Sequence, residues 1–331
     1  MWRGRATNVR FVLPADVGDP AGPSGGNVYD LRVSAGMDRL LVAGDWPRPH
    51  DVSALEQTLA GIPDGEVVLV DGLVACGVPE VVVPHARRLR LAVLVHLPLA
   101  DETGLDPATA ELLDRCERQV LRAASAVVAT SPTAAAGIRV RHGLANVHVV
   151  VPGTDPAPVA TGTDGVRNLL CVASITPRKG HDVLVRALQR VEADWRLTCV
   201  GPHRPFLPQL PPDDRVSFPG PLTGEALNSA YAAADLFVLA SRAETYGMVV
   251  TEALARGLPV IASSVPDALG DGGVLVPAGD ESAFAAALTC WFHDQTFRDG
   301  LRVRARVRRA SLSTWDESTQ DLRRVLASLR P

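Results

Sequence analysis

Leu236-Phe-Val-Leu239, followed after one residue by Ser241-Arg-Ala-Glu-Thr-Tyr-Gly-Met-Val-Val-Thr-Glu-Ala-Leu-Ala-Arg-Gly-Leu-Pro-Val-Ile-Ala262, is the run that decides the fold. Leu236–Leu239 is apolar and strand-length. A loop follows, then a helical stretch at about Gly247–Arg256, a turn, and the β-branched run Pro259–Ser263. Strand, loop, helix, turn and strand in that order make a parallel βαβ unit. Glu244 lies in the loop and Gly247 opens the helix. The amides of Gly247, Met248 and Val249 then lack intrahelical acceptors and sit at the positive end of the helix dipole, where a diphosphate would fit. Glu252, further along the same helix, can accept two hydroxyl hydrogens from a ribose. Taken singly, a Glu before a helix is more often a dipole partner and a Glu within one more often solvated. The eight-residue spacing of the pair, with the glycine turn and the following strand, points instead to a nucleotide-sugar site.

The same alternation extends along the chain, so the fold class is α/β. Strands are expected at Val9–Pro14, Leu40–Ala43, Val67–Val70, Leu91–His96, Ala126–Thr130 and Val147–Val151, with helices such as Ala108–Ala123 and Thr133–Arg141 between them. A Pro-, Gly- and Thr-rich stretch from Pro152 to Gly165 reads as a linker. Beyond it come strands Asn168–Ala173, Arg196–Val200, Val216–Pro219, Leu236–Leu239, Pro259–Ser263 and Gly273–Val276, with helices His181–Glu192, Gly224–Ala233 and Glu281–His293. The expected organisation is a first domain over 1–152, a linker over 153–165 and a second domain over 166–314, with a last helix at about 315–331. Two such doubly wound domains would leave a cleft at the C-terminal edges of their sheets, where open α/β folds bind ligands.

Composition narrows the function. The 331 residues are 47 % hydrophobic and 21 % charged, with a formal charge of −4, which describes a folded protein without a global pull toward nucleic acid. Cys76, Cys116, Cys171, Cys199 and Cys290 are widely spaced, form no zinc-type pattern and read as buried thiols. With no secretory-type apolar stretch over Met1–Arg10 and no apolar run long enough to span a bilayer, a cytoplasmic protein is expected.

Further candidates lie at the other strand ends. Arg178 and Lys179, in Cys171-Val-Ala-Ser-Ile-Thr-Pro-Arg-Lys-Gly180, open the second domain at a strand-to-helix loop and could neutralise phosphates and a leaving diphosphate. Gly25 and Gly26 allow close backbone approach to a ligand after the first strand, with Asn27 as a possible helix cap. His96 ends an apolar strand and could donate to a sugar hydroxyl. Asp101 and Glu102 are weaker candidates for acceptor contacts, since carboxylate-rich loops are usually just solvated. In the C-terminal Arg302-Val-Arg-Ala-Arg-Val-Arg-Arg309, Arg302, Arg306 and Arg309 share one helical face and Val303 and Val307 another. That is foremost an amphipathic surface helix, although its basic face could make a peripheral contact with anionic lipid.

The Glu244–Glu252 segment resembles the Glu-x7-Glu signature of retaining glycosyltransferases of the GT-B fold, family 4, also called glycosyl transferase group 1. The resemblance runs through nearly the whole chain and is strong from Cys171 to Ser263. It implies two Rossmann-like domains, with the last helix crossing back to the first. It also implies that Glu244 binds donor-sugar hydroxyls, that Glu252 binds the ribose, and that the amides between them hold the diphosphate. The family's Gly-Arg-Leu-x-x-x-Lys-Gly segment places its Lys on Lys179 and its Gly on Gly180, while its Arg falls on Ser174; Arg178 is the available substitute. Gly25 and Gly26 match a Gly-Gly loop under the donor phosphates, and His96 matches a His near the donor sugar. The family usually has Asn-Gly before its Asp at the domain junction, whereas this chain has Gly153-Thr-Asp155, and no binding role is carried over there.

The expected reaction moves a sugar from a UDP- or GDP-sugar to a small-molecule, glycan or lipid-linked acceptor, with retention. Glu244, Lys179, His96 and Arg178 are the catalytic candidates. Gly25, Gly26, Ser174, Arg178, Lys179, Glu244, Gly247, Met248, Val249 and Glu252 are the donor-binding candidates. No metal cofactor is expected, there being no Asp-x-Asp cluster, and same-face attack by the acceptor is preferred to a covalent intermediate. A GT-B epimerase or phosphorylase, or a pseudoenzyme that binds a nucleotide sugar without turnover, is the alternative.

Overall fold

The computed structural model describes residues 9–19, 24–163, 165–202, 210 and 213–330. The chain divides into two compact units, passing from the first to the second at Gly153–Thr154 and back at Leu312–Ser313. Pro20–Pro23 of the glycine loop and Asp164 of the linker stretch lie outside the described residues.

The first unit is a parallel sheet of β1 (Arg10–Pro14), β2 (Asp38–Val42), β3 (Val67–Asp71), β4 (Arg90–Val95), β5 (Ala126–Ala129) and β6 (His148–Val149), in the order β2-β1-β3-β4-β5-β6. Every residue of β3, Val-Val-Leu-Val-Asp, is buried, as a central parallel strand covered on both faces requires, whereas the edge strand β2 is largely exposed. Because β1 lies between β2 and β3, the crossovers leave it in opposite directions and open a topological switch point at the carboxyl ends of β1 and β3. Helices Gly25–Val33 and Gly72–Ala75 begin at that point. The last helix, Trp315–Ser328, packs on Gly25–Val33 and opens with a capping box between Thr314 and Glu317.

The second unit contains β7 (Asn168–Val172), β8 (Arg196–Val200), β9 (Val216–Gly220), β10 (Leu236–Leu239), β11 (Val260–Ser263) and β12 (Val274–Val276). Their order, β12-β11-β10-β7-β8-β9, with all pairings parallel, is the doubly wound dinucleotide-binding order, and its switch point falls between β7 and β10. The loops leaving those two strands carry Arg178, Lys179 and Glu244.

Residues 157–163 and Gly165, read from sequence as linker, are strapped onto the second unit. The Asp235 carboxylate accepts from Thr163 N at 2.8 Å, Gly165 N at 3.1 Å and Asn168 N at 3.0 Å. Arg302 donates to Gly165 O at 2.5 Å and Arg309 to Ala157 O at 2.7 Å. The helix that bears these arginines, Gln295–Arg309, is amphipathic as the sequence suggests, but its apolar side is not the one carrying Val303 and Val307. Leu301 and Ala305 form its buried stripe, Val303 and Val307 are exposed, and Arg302, Arg308 and Arg309 are engaged with backbone carbonyls. Cys290 is exposed, contrary to the reading of all five cysteines as buried thiols, because it lies off the Phe284–Leu288–Trp291 stripe of its helix. Among the described residues no helix is long and apolar enough to cross a membrane.

Candidate active site

In the second unit the loops after β7 and β10 are stitched together. Arg242 N donates to Arg178 O at 2.7 Å, Arg178 Nη1 to Ala243 O at 3.2 Å, and the Arg242 guanidinium to Asp182 at 2.7 and 2.9 Å. Gly180 makes this possible. Its φ is +63°, and a Cβ there would lie 2.0 Å from Ala240 O. The result brings Lys179 onto Glu244, where Nζ donates to Oε1. Ser241 Oγ also donates to Oε1, at 2.7 Å, and Arg178 Nη1 stands 3.6 Å from Oε2. The Lys179 and Glu244 side chains retain only 14 % and 8 % of their exposure, so each cation is positioned by the carboxylate before any ligand arrives.

Gly247 follows with φ +96°, its Cα packed so closely on Val265 that a Cβ would meet Cγ1 at 2.5 Å. The helix Met248–Ala255 starts there, and Val250 is the first residue to close a backbone bond, to Gly247 O at 2.9 Å. The amides of Gly247, Met248 and Val249 have no backbone acceptor among the described residues. Three such N–H groups, on the loop and helix that follow Glu244 and its two cations, could receive an anion by dipole and charge together.

Glu252, on the same helix, is mostly buried. Its Oε2 accepts from Tyr231 Oη at 2.9 Å, and burial pushes its pKa above the usual carboxylate value while Tyr231 and Arg256 oppose that rise. Oε1 has no donor among the described residues and remains for a ligand. Arg256 stacks 4.3 Å from the Tyr231 ring centroid and donates to Asn228 at 2.7 Å, locking the tyrosine in place. Tyr231 is the residue that sequence reasoning missed. It sits 21 positions before Glu252 on another helix, Gly224–Ala232, with nothing local to mark it. Ser174 is half-buried on the loop after β7, and it is Arg178, not Ser174, that lies against Glu244.

In the first unit Gly25 and Gly26 are the first two residues of a helix, not a free loop. The helix is capped by Ser24, whose Oγ accepts from Asn27 N at 3.0 Å, so Asn27 is an interior residue and not the cap. Gly26 packs against His96, where a Cβ would stand 3.2 Å from Cγ of the ring. Tyr29 meets the same ring edge-on at 5.4 Å, and His96 Nε2 is 2.8 Å from Oδ1 of the buried Asp30. Asp71, at the end of β3, completes a cluster of two carboxylates and an imidazole whose ligand atoms lie within 4.8 Å of one another. Such a donor set could hold a metal ion, but the Asp30–His96 contact already occupies Nε2. Asp101 is paired with Arg141 at 2.7 Å and Glu102 bonds its own neighbour Thr103, so neither carboxylate is idle.

Against known proteins, residues 166–294 match the family described as Glycosyl transferases group 1. Residues 166–294 are a glycosyl transferases group 1 domain. The chain is 31 % identical to a D-inositol 3-phosphate glycosyltransferase of Streptosporangium roseum, over 76 % of this chain and 64 % of that relative. A protein of the same name from Xylanimonas cellulosilytica is 32 % identical over 64 % of this chain and 58 % of its own length. The chain thus spans under two thirds of the length of these curated relatives. Among solved structures it is similar to sucrose-phosphate synthase from Thermosynechococcus elongatus, with a TM-score of 0.78, 21 % identity, and coverage of 98 % of this chain and 99 % of the other. It is similar also to Anabaena HepE in complex with UDP and glucose, with a TM-score of 0.75, 16 % identity, and coverage of 97 % and 100 %. The chain's two parallel six-stranded sheets are those of the GT-B fold of these structures, and the group 1 domain lies within the second unit.

Proposed function

We propose that this protein is a retaining glycosyltransferase that moves a hexosyl group from a UDP- or GDP-sugar to a hydroxyl acceptor, without a metal ion. The observation that carries this reading is the group at the β7/β10 switch point. There Lys179 and Arg178 face Glu244 beside the free amides of Gly247–Val249, with Glu252 on the same helix. The amides and the two cations would hold the diphosphate and stabilise the charge it gains as the anomeric C–O bond breaks, the electrostatic task that a metal performs in other transferases. Glu244 would orient donor-sugar hydroxyls and Glu252 Oε1 the ribose. On the preferred same-face course, the acceptor oxygen bonds to the anomeric carbon from the side the diphosphate leaves, and the acceptor proton passes to a departing phosphate oxygen. UDP-sugars are the first donors to try, because UDP-glucose and UDP occupy HepE. The curated relatives' names make an inositol phosphate the first acceptor to try.

The test is thermal melting of wild type and Glu252→Ala with UDP-, GDP-, ADP- and TDP-sugars. Donor at a hundred times its Kd should stabilise the folded chain by about 2.7 kcal/mol, which is about 5–10 °C for a unit of this size. A shift for one donor class that is absent in Glu252→Ala, with turnover of that donor, supports the reading. A shift with no transfer or hydrolysis across many acceptors would make the chain a nucleotide-sugar binder only. No shift with any donor would sink the proposal.

A further inference from the structure

The first unit holds a buried charge cluster that the donor site of the second unit does not use. His96 sits at the end of β4, and one helix, Gly25–Val33, clamps its ring by the close approach of Gly26, the edge contact with Tyr29 and the Asp30 carboxylate. Asp30 is fully buried, and its Oδ2 has no hydrogen-bond donor. Asp71 is nearly as buried, lies in the same cluster, and accepts at Oδ1 from the amide of Leu73 at 2.8 Å. His96 keeps 21 % of its side-chain surface exposed, and Nδ1 has no hydrogen bond among the described residues.

We infer that Asp30 is a positioning residue that engages His96 Nε2 and holds the ring as an imidazolium whose Nδ1–H is left as a hydrogen-bond donor, while Asp71 shares one proton with Asp30.

Charge balance supports this arrangement. Two buried carboxylates beside one imidazolium would leave a net negative charge in a low-dielectric site, which is costly unless one carboxyl keeps its proton. A protonated Asp71 supplies the donor that Asp30 Oδ2 otherwise lacks. Titration tendencies agree with the geometry. Burial and the neighbouring Asp30 push Asp71 up to about 7, with His96 opposing. Burial disfavours the charge on His96, but Asp30 outweighs it, with Asp71 adding to it, and the imidazole is pushed up to about 9. The remaining titratable group against the ring, Tyr29, stays neutral because burial raises it well above its ordinary value, and its hydroxyl donates to Val150 O at 3.0 Å. The tautomer follows as well. With Nε2–H committed to Asp30, a neutral ring could only accept at Nδ1, whereas the charged ring donates there.

The test is histidine-ring 15N NMR of the full chain in EDTA across pH 5–10, with His96→Gln to assign the signal. In wild type both ring nitrogens of His96 should be protonated at pH 7, with the midpoint above 8, and in Asp30→Asn the midpoint should fall by more than one unit. A wild-type His96 with a single protonated nitrogen at pH 7, or an unchanged midpoint in Asp30→Asn, would overturn the assignment. Should Asp30→Asn fail to fold, the wild-type spectrum still decides the charge state. Asp71→Asn then tests the shared proton, since its amide can supply the donor to Asp30 and His96 should stay charged at pH 7. Loss of the Nε2 signal on adding zinc would make the cluster a metal site instead. These outcomes need no substrate, so they stand apart from the glycosyltransferase reading.

Discussion

Gly180→Ala is the substitution whose effect the structure specifies most closely. Gly180 has φ +63°, a conformation that costs an alanine about 1–2 kcal/mol. The new Cβ would also stand 2.0 Å from Ala240 O, a contact that must be relieved by moving backbone. Overpacking of this kind adds about 1–3 kcal/mol. The sum, about 3 kcal/mol, corresponds to about 6–12 °C in melting temperature for a unit of this size. The relief has a direction. The loop after β7 must separate from the loop after β10, carrying Lys179 away from Glu244 and Arg178 from Ala243. A displacement of about 1 Å in a charge-stabilising group costs on the order of a hundredfold in rate. The control is Gly279→Ala, also at positive φ (+74°) in the second unit but with nothing within 4 Å of its Cβ, so that it carries only the backbone strain. The assay is melting temperature together with release of nucleotide from the sugar donor. If the two variants melt alike and Gly180→Ala keeps wild-type turnover, the contact between the two loops does not set the position of Lys179, and the reasoning is refuted.

Tyr231→Phe should raise the KM for the nucleotide sugar about tenfold with kcat little changed, because losing the hydroxyl removes about 1.4 kcal/mol of support from Glu252 without touching the reacting atoms; an unchanged KM would show that the Tyr231 bond to Glu252 does not matter for binding. Steady-state turnover should be the same in EDTA as in magnesium, and dependence on a divalent ion would contradict the task given to Lys179 and Arg178. The stability contributed by Asp71 and His96 should fall as pH rises through the window from about 4 to about 9, read as the melting-temperature difference between wild type and variants of these two residues. Both groups have folded pKa values above their unfolded ones, so the native state binds more protons there and stability declines with pH. Asp71→Asn, which can keep the bond to Leu73, should therefore melt higher than wild type at pH 8 and about the same at pH 4; a lower melting temperature at pH 8 would count against the buried proton.

Much of the fold was legible because parallel sheets bury their strands on both faces, which writes them as short unbroken apolar runs. Leu236–Leu239 and Arg196–Val200 are found at the bounds the sequence suggests, and helix Glu281–His293 matches residue for residue. Less legible were segments whose state depends on distant partners. Gly25–Gly26 reads locally as a turn, yet it forms the first residues of a helix because Ser24 caps it, with Gly26 packed closely on the ring of His96. The Pro- and Gly-rich stretch reads as free linker, but Asp235, Arg302 and Arg309, 70 or more residues away, take up its backbone groups. Glu252 could be read as a ligand group from its spacing to Glu244. Its tie to Tyr231 could not, since two helices separated by a strand bring them together.

One physical device recurs in both units. At the second unit's switch point Glu244, itself nearly buried, engages Lys179 and Ser241 and stands near Arg178. At the first, Asp30 is wholly buried and engages Nε2 of His96. In each case a carboxylate is desolvated behind a cation, which raises the cost of losing that cation's charge or its place. A solvent-exposed lysine or histidine would lose rotamer freedom on meeting a ligand, and the histidine would be largely neutral at pH 7. Held by a buried counter-ion, the same groups have already given up that freedom during folding, so a ligand need not offset it. Glycine serves both placements: a Cβ at Gly180 would stand 2.0 Å from Ala240 O, and one at Gly26 would press the His96 ring at 3.2 Å. Removing the counter-ion and adding a methyl to the glycine should therefore damage the same function by different routes, one through charge and one through distance. Only the first should move the pH profile, and Asp30→Asn set against Gly26→Ala separates the two within a single unit.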